Sequence, residues 1–227
     1  MKIGLLQAGH FVPELQSELG DYNALYTRLL AGHGYDFDLE TFSVVDMEFP
    51  HNLDDVDGWL ISGSKHGAYE DHAFIPPLEE LIRAIHASGK PLIGICFGHQ
   101  IIAQALGGTV AKFDHGWSVG RVEYDMQGQT FALNAWHQDQ VIQPPEDAET
   151  VGFSSFCAHA ALAYGDQIWT MQPHPEFESP AIDGLIQYKS SAVEVDRVEY
   201  AKRQLSAANN NAETGKKMAD FFMKERA

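Results

Sequence analysis

Cysteine is nearly absent from this chain. Cys96 and Cys157 are the only two among 227 residues, which excludes a disulfide framework and points to a reducing compartment. Basic residues are scarce as well: 15 Lys and Arg stand against 32 Asp and Glu, a formal charge of −17. That balance opposes binding to nucleic-acid phosphates and to anionic membrane surfaces. No apolar run approaches the roughly 20 residues of a membrane-spanning helix. The N-terminal MKIGLLQAGHFVPELQ has one lysine and an apolar stretch broken by Gln7 and Pro13, which is not the layout of a secretory signal. The expected location is the cytoplasm. Missing too is a glycine-rich phosphate loop ending in Gly-Lys-Ser or Gly-Lys-Thr, so no nucleotide cofactor is expected and the chain should not activate an acceptor with ATP by itself. There is no internal repeat and no low-complexity linker.

What is present is a hydrophobic content of 44%, enough for a substantial core in one domain over 1–227. Residues 2–7 and 59–62 read as strands, while 21–31, 77–87 and 98–106 carry helical apolar spacing, with Asp21 a candidate N-cap. Strand alternating with helix implies a parallel sheet. After about residue 109 short β-like runs separated by Gly, Asp and Pro turns predict a mixed, partly antiparallel extension. The asparagines at 209–211 read as a loop, and AETGKKMADFFMKE places Met218, Phe221 and Phe222 on one face of a docked helix.

The segment GKPLIGICFGHQIIAQALGG puts Cys96 at a strand-to-helix corner between Gly94 and Gly98. Flanking glycines permit a sharp turn and close helix packing, and the following helix N-terminus favours thiolate over thiol. A thiolate nucleophile needs a proton carrier, and most of the eleven histidines read as surface residues. The exception is WTMQPHPEF, in which His174 and Glu176 flank Pro175. An extended backbone would point both side chains the same way, so that Glu176 orients the imidazole.

Together GICFGHQ and QPHPE resemble the nucleophile and histidine-glutamate signatures of the class I glutamine amidotransferases. The resemblance runs over about 2–180, including WLISGSKHGAYED and AWHQDQV, and in detail it is similar to plant γ-glutamyl peptidases and stand-alone GMP-synthase-like proteins. Two positions depart from the pattern: Ser64 replaces a second glycine, and Pro173 replaces the usual aromatic residue. The resemblance implies a flavodoxin-like α/β fold, an open, mostly parallel mixed sheet flanked by helices, with a helical extension over about 181–227. It implies Cys96, His174 and Glu176 as the triad, the backbone amides of Ser64 and Phe97 as the oxyanion hole, and Gln100, Gly116, Trp117 and Ser118 as contacts to the glutamyl group. The implied chemistry is cleavage of a γ-glutamyl amide through a thioester. Two alternatives stay open: a glutaminase subunit feeding ammonia to a separate synthetase partner, and a noncatalytic relative. A homodimer contact through the extension is also left open.

Other residues carry less. His66, Asp71 and His72 match no zinc or calcium spacing, so no metal is expected. His99, near Cys96, should face another way. His137 and Asp139 read as structural or channel residues, and Cys157 as a buried thiol.

Overall fold

The computed structural model describes residues 1–226. The chain opens with β1 (Lys2–Leu6), two helices α1 (Pro13–Leu19) and α2 (Tyr22–Leu30), and β2 (Asp38–Phe42). Next come β3 (Gly58–Ile61), α3 (Ile75–Ser88), β4 (Leu92–Ile95) and α4 (Phe97–Ala105). A run of strands follows: β5 (Thr109–Lys112), β6 (Ser118–Met126), β7 (Gln129–His137), β8 (Asp139–Gln143), β9 (Glu149–Phe153), β10 (Ala161–Tyr164) and β11 (Ile168–Met171). The helices α5 (Ser179–Lys189), α6 (Val195–Gln204) and α7 (Asn211–Met223) end it.

Local chemistry sets the helix limits. Asp21 caps α2 by accepting from the Tyr22 amide at 2.8 Å, and the same oxygen accepts from Phe11 N at 2.7 Å. Pro76 and Pro77 sit in the first turn of α3, Leu78, Ile82 and Ile85 form its buried stripe, and Gly89 ends it in the left-handed conformation at φ 76.

Nine strands form one sheet in the order β2-β1-β3-β4-β11-β10-β9-β6-β7. The half from β2 to β11 is parallel, and the half from β10 to β7 is antiparallel. β5 and β8 pair separately as a two-stranded antiparallel sheet. β3 and β4 are buried at every residue, as central strands covered on both faces must be. Leu60 and Ile93 point into a core shared with α2, α5 and α7, whereas Trp59, Ile61 and Leu92 point into one shared with α3 and α4.

The C-terminal extension covers one of these faces. Met218, Ala219 and Phe222 of α7 and Ala201 of α6 belong to the same core as Ile3 and Leu60. α6 lies close against β6 at Gly120, where φ is 75 and a Cβ would stand 2.6 Å from Ala201 Cβ. Glu194, just before α6, accepts from the Trp117 amide at 3.5 Å. The asparagine run differs from a plain loop. Asn210 N donates to Ala132 O at 2.8 Å, and Asn211, the first residue of α7, is buried and donates through its side chain to Phe177 O at 2.9 Å. Side-chain amides satisfy buried backbone there, a use that composition does not reveal.

Candidate active site

Three neighbouring parallel strands, β3, β4 and β11, deliver the candidate residues from their carboxyl ends, the edge at which open α/β sheets bind ligands. Ile95 pairs with Met171, so the next residue, Cys96, emerges beside the end of β11 and donates its amide to Met171 O at 2.9 Å. Cys96 has φ 53 and ψ −103, a conformation costing a non-glycine residue about 1–3 kcal/mol. The glycines on either side make room for α4. A Cβ on Gly98 would collide with the Ile61 carbonyl, and one on Gly94 would stand 2.6 Å from Gly98 O. Helix and sheet are therefore in backbone contact directly beneath the thiol.

The histidine segment departs from the extended path. His174 O accepts from Phe177 N at 3.3 Å, closing a turn with Pro175 at its second position, where proline's fixed φ fits. Within this turn His174 Nδ1 and Glu176 Oε1 lie 2.7 Å apart, both side chains buried. Tyr26 donates its hydroxyl to the same carboxylate oxygen at 3.1 Å. Phe177 stacks on the imidazole with centroids 4.0 Å apart and planes 4° from parallel. Asn134 of β7 accepts from His174 N at 2.8 Å and donates to Phe177 O at 2.8 Å. Burial alone would lower the His174 pKa. The Glu176 carboxylate and the Cys96 sulphur, the latter by charge and by hydrogen bond, outweigh it and raise the value to about 10. Tyr26 and Asn134 carried no sequence signal, since both act on partners far along the chain.

The segment after β3 lies against the same imidazole. A Cβ on Gly63 would stand 2.9 Å from His174 Cε1 and 2.9 Å from the Tyr22 hydroxyl. Ser62 Oγ accepts from Ala8 N at 2.9 Å and donates to Gly63 O at 2.9 Å. Because the Gly63 carbonyl is held to that side, the Ser64 amide in the same planar peptide points the opposite way. Among the described residues neither the Ser64 nor the Phe97 amide is paired with an acceptor, and Phe97 occupies the first turn of α4, where amides are free.

Gln100 is buried, and Nε2 donates to both Asp139 O at 2.8 Å and Gln172 Oε1 at 3.0 Å. Only its carbonyl oxygen remains for a ligand. Ser118 pairs with His137 on β7, the strand whose Asn134 bridges His174. Gly116 and Trp117 are held by Glu194 instead. His99 faces away from Cys96 and bonds Thr170 Oγ1 at 2.8 Å. His99 and His137 are core residues rather than surface ones, and burial pushes each down to about 3. His137 Nδ1 lies 3.2 Å from Asp139 O, and Tyr69 donates to the Asp139 carboxylate at 3.1 Å. In the loop before α3 it is Glu70, not Asp71, that meets His66 and His72. His72 Nε2 lies 2.8 Å from Glu70 Oε2, which also accepts from Gly67 N at 3.0 Å. Cys157 is buried, and desolvation pushes its thiol up to about 12. A cleft of about 250 Å³ lined by Arg83, Leu106 and Tyr164 opens at the far end of α4 from Cys96.

Comparison with known proteins gives concordant findings. The model of the glutamine amidotransferase class-I family matches residues 19–188. Gamma-glutamyl peptidase 2 of Arabidopsis thaliana is 29% identical over 232 residues, covering 95% of this chain and 92% of its own. Gamma-glutamyl peptidase 4 of the same plant is 32% identical over 183 residues, 74% of this chain and 72% of its own. The crystal structure of a glutamine amidotransferase from Thermotoga maritima superposes with a TM-score of 0.73 at 18% identity, over 98% of this chain and 96% of the other, which is a likeness of fold. The matched span contains the corner at Cys96, the turn at His174 and the strands that bring them together, and this chain belongs to the class-I glutamine amidotransferases.

Proposed function

We propose that this enzyme hydrolyses the amide bond of a γ-glutamyl compound through a thioester on Cys96. The observation that carries the reading is the buried His174–Glu176 pair at 2.7 Å, with the Cys96 sulphur close enough to raise the histidine's pKa. Cys96 Sγ attacks the γ-carbonyl carbon, and the carbonyl π pair moves onto oxygen. The unpaired amides of Ser64 and Phe97 donate to that oxyanion, where one such donor is worth ~3 kcal/mol. The tetrahedral intermediate collapses, the C–N bond breaks, and the imidazolium of His174 gives its proton to the departing nitrogen. His174, now neutral, takes a proton from water as the oxygen attacks the thioester. A second collapse releases glutamate and returns the thiolate. Glu176 holds the ring and balances its charge.

Glutamyl contacts are assigned to Gln100 through Oε1 and to the Gly116-Trp117-Ser118 segment. The full-length match to γ-glutamyl peptidases favours an amine or amino-acid leaving group over dedicated ammonia supply. Purified protein incubated with a panel of γ-glutamyl compounds, glutamine included, and followed by mass spectrometry should release glutamate without any partner. Turnover that appears only on adding host-cell extract, and follows an ATP-dependent enzyme, would make the chain an ammonia-donating subunit instead.

A further inference from the structure

Gln172 is the first residue beyond β11 and is fully buried, with its backbone amide donating to Ala160 O at 2.8 Å. Its side-chain Nε2 lies 3.5 Å from Cys96 Sγ, within hydrogen-bond reach of sulphur. The direction of this amide is set by its neighbours. Gln100 Nε2 sits between two oxygens, Asp139 O at 2.8 Å and Gln172 Oε1 at 3.0 Å. The Asp139 backbone carbonyl can only accept, so Gln100 must present its nitrogen there, and that same nitrogen then claims the Gln172 oxygen. Gln172 is left with its NH₂ facing the sulphur. Rotating either amide by half a turn would set oxygen against oxygen, or an oxygen against the thiolate.

We propose that Gln172 is a second donor to the Cys96 sulphur alongside His174, and hence a catalytic residue, with Gln100 the positioning residue that fixes its direction. The inference rests on Cys96 being the nucleophile. His174 turns its proton to the leaving nitrogen once Sγ has bonded to carbon, and takes another from water before the thiolate returns. The Gln172 N–H has no proton to give up, so it stays with the sulphur through attack, thioester formation and return of the thiolate. Hydrogen bonds to a charged acceptor are about twice as strong as neutral ones. The donor therefore favours thiolate over thiol most where water is excluded.

The test is the rate at which iodoacetamide labels Cys96, read by peptide mass spectrometry as a function of pH, together with the thermal midpoint of each variant. Gln172→Met, close in size, should slow labelling at pH 7 about tenfold, the scale of one charge-assisted hydrogen bond. The rate should recover as pH rises, because the lost donor affects ionisation and not access. Gln172→Glu keeps the shape and still accepts from Gln100, yet it sets a carboxylate against the sulphur and should slow labelling further. Gln100→Met should give a smaller loss of the same pH-dependent kind. Wild-type rates at pH 7 in both Gln172 variants would overturn the assignment, as would a loss that persists at high pH or that simply follows the thermal midpoint. If wild-type Cys96 is not labelled at all, the nucleophile assignment fails and this one with it. If it is labelled and the variants match it, only the donor role is lost.

Discussion

Gly94→Ala tests the backbone contact beneath the thiol. The new Cβ would stand 2.6 Å from the Gly98 carbonyl oxygen and 2.5 Å from Ile102 Cδ1, where ordinary contact begins near 3.4 Å. Ile102 can rotate its terminal methyl aside, but the Gly98 carbonyl belongs to the first turn of α4 and cannot. The helix must therefore retreat by about 0.8 Å, the difference between 3.4 and 2.6 Å, taking the Phe97 amide and the Cys96 corner with it. Overpacking of this kind costs ~1–3 kcal/mol of stability, and a chain of this size loses roughly 2–4 °C of thermal midpoint per kcal/mol. Displacing a reacting group by about 1 Å costs on the order of 100-fold in rate, so kcat/KM toward a γ-glutamyl amide should fall roughly 10- to 100-fold. The control is Gly89→Ala, where φ is 76 but no atom lies within 4 Å of the added Cβ. It carries only the left-handed backbone penalty, ~1–2 kcal/mol, and should lower the thermal midpoint while leaving kcat/KM unchanged. Parallel measurement of activity and melting separates the two. A Gly94→Ala enzyme within twofold of wild-type activity would refute the argument that this contact sets the geometry of the site.

Further expectations concern the same residues. An alkylating glutamine analogue should label Cys96 and spare Cys157, whose thiol burial pushes up to about 12; labelling of Cys157 first would contradict the assignment. Cys96→Ala and His174→Ala should each abolish turnover, and the double variant should be scarcely worse than either, since a thiolate without its acid cannot expel an amine. Glu176→Gln should be milder in kcat, and additive losses across the set would show independent roles. The buried His99 and His137, held down to about 3, shape the acid limb of stability. Burial is the main cause for both, with the charge of His137 adding to it for His99 and that of His174 for His137, while backbone hydrogen bonds at His159 and Asp139 respectively oppose it. For such histidines the folded state resists a proton that the unfolded state accepts below about 6.5. Their contribution is complete above that pH and is lost as pH falls toward 3, each at a slope of up to ~1.4 kcal/mol per pH unit. His99→Gln should flatten urea-unfolding free energy against pH between 6 and 4, and an unchanged slope would dismiss the effect.

Reading the sequence located the elements whose signal is local. The strand and helix around Cys96 declared themselves by an uninterrupted apolar run followed by period-3.6 spacing, and α3 by helical apolar spacing over 77–87. β2 was not legible, because DLETF is half-exposed and polar at the parallel edge, and α1 is a short helix with a single buried residue, Leu15. The His174–Glu176 proximity could be anticipated, but through the wrong backbone. A turn, not an extended strand, brings the two together, since His174 is fixed by Asn134 from a distant strand. The burial of His99, Gln100 and Gln172 follows from α4 and the end of β11 being packed face to face, and His137 is buried at the end of β7. A polar residue inside such a layer looks, in one dimension, the same as one on a solvated turn.

β11 is the seam of the sheet, parallel to β4 on one side and antiparallel to β10 on the other. The thiol leaves the fold from β4, beside that seam, and the base proposed for it is carried by the segment that follows β11 itself, with the sequence separation of Cys96 from even Gln172 reaching 76 residues. During synthesis the proposed nucleophile is therefore made long before the group proposed to activate it. Its own half of the sheet can assemble through local strand-helix-strand pairing, whereas β11 must insert across a large loop, the slower kind of step. On that proposal reactivity arrives as the last consequence of folding, and an incomplete chain carries a cysteine with neither the turn at His174 nor the Gln172 amide beside it.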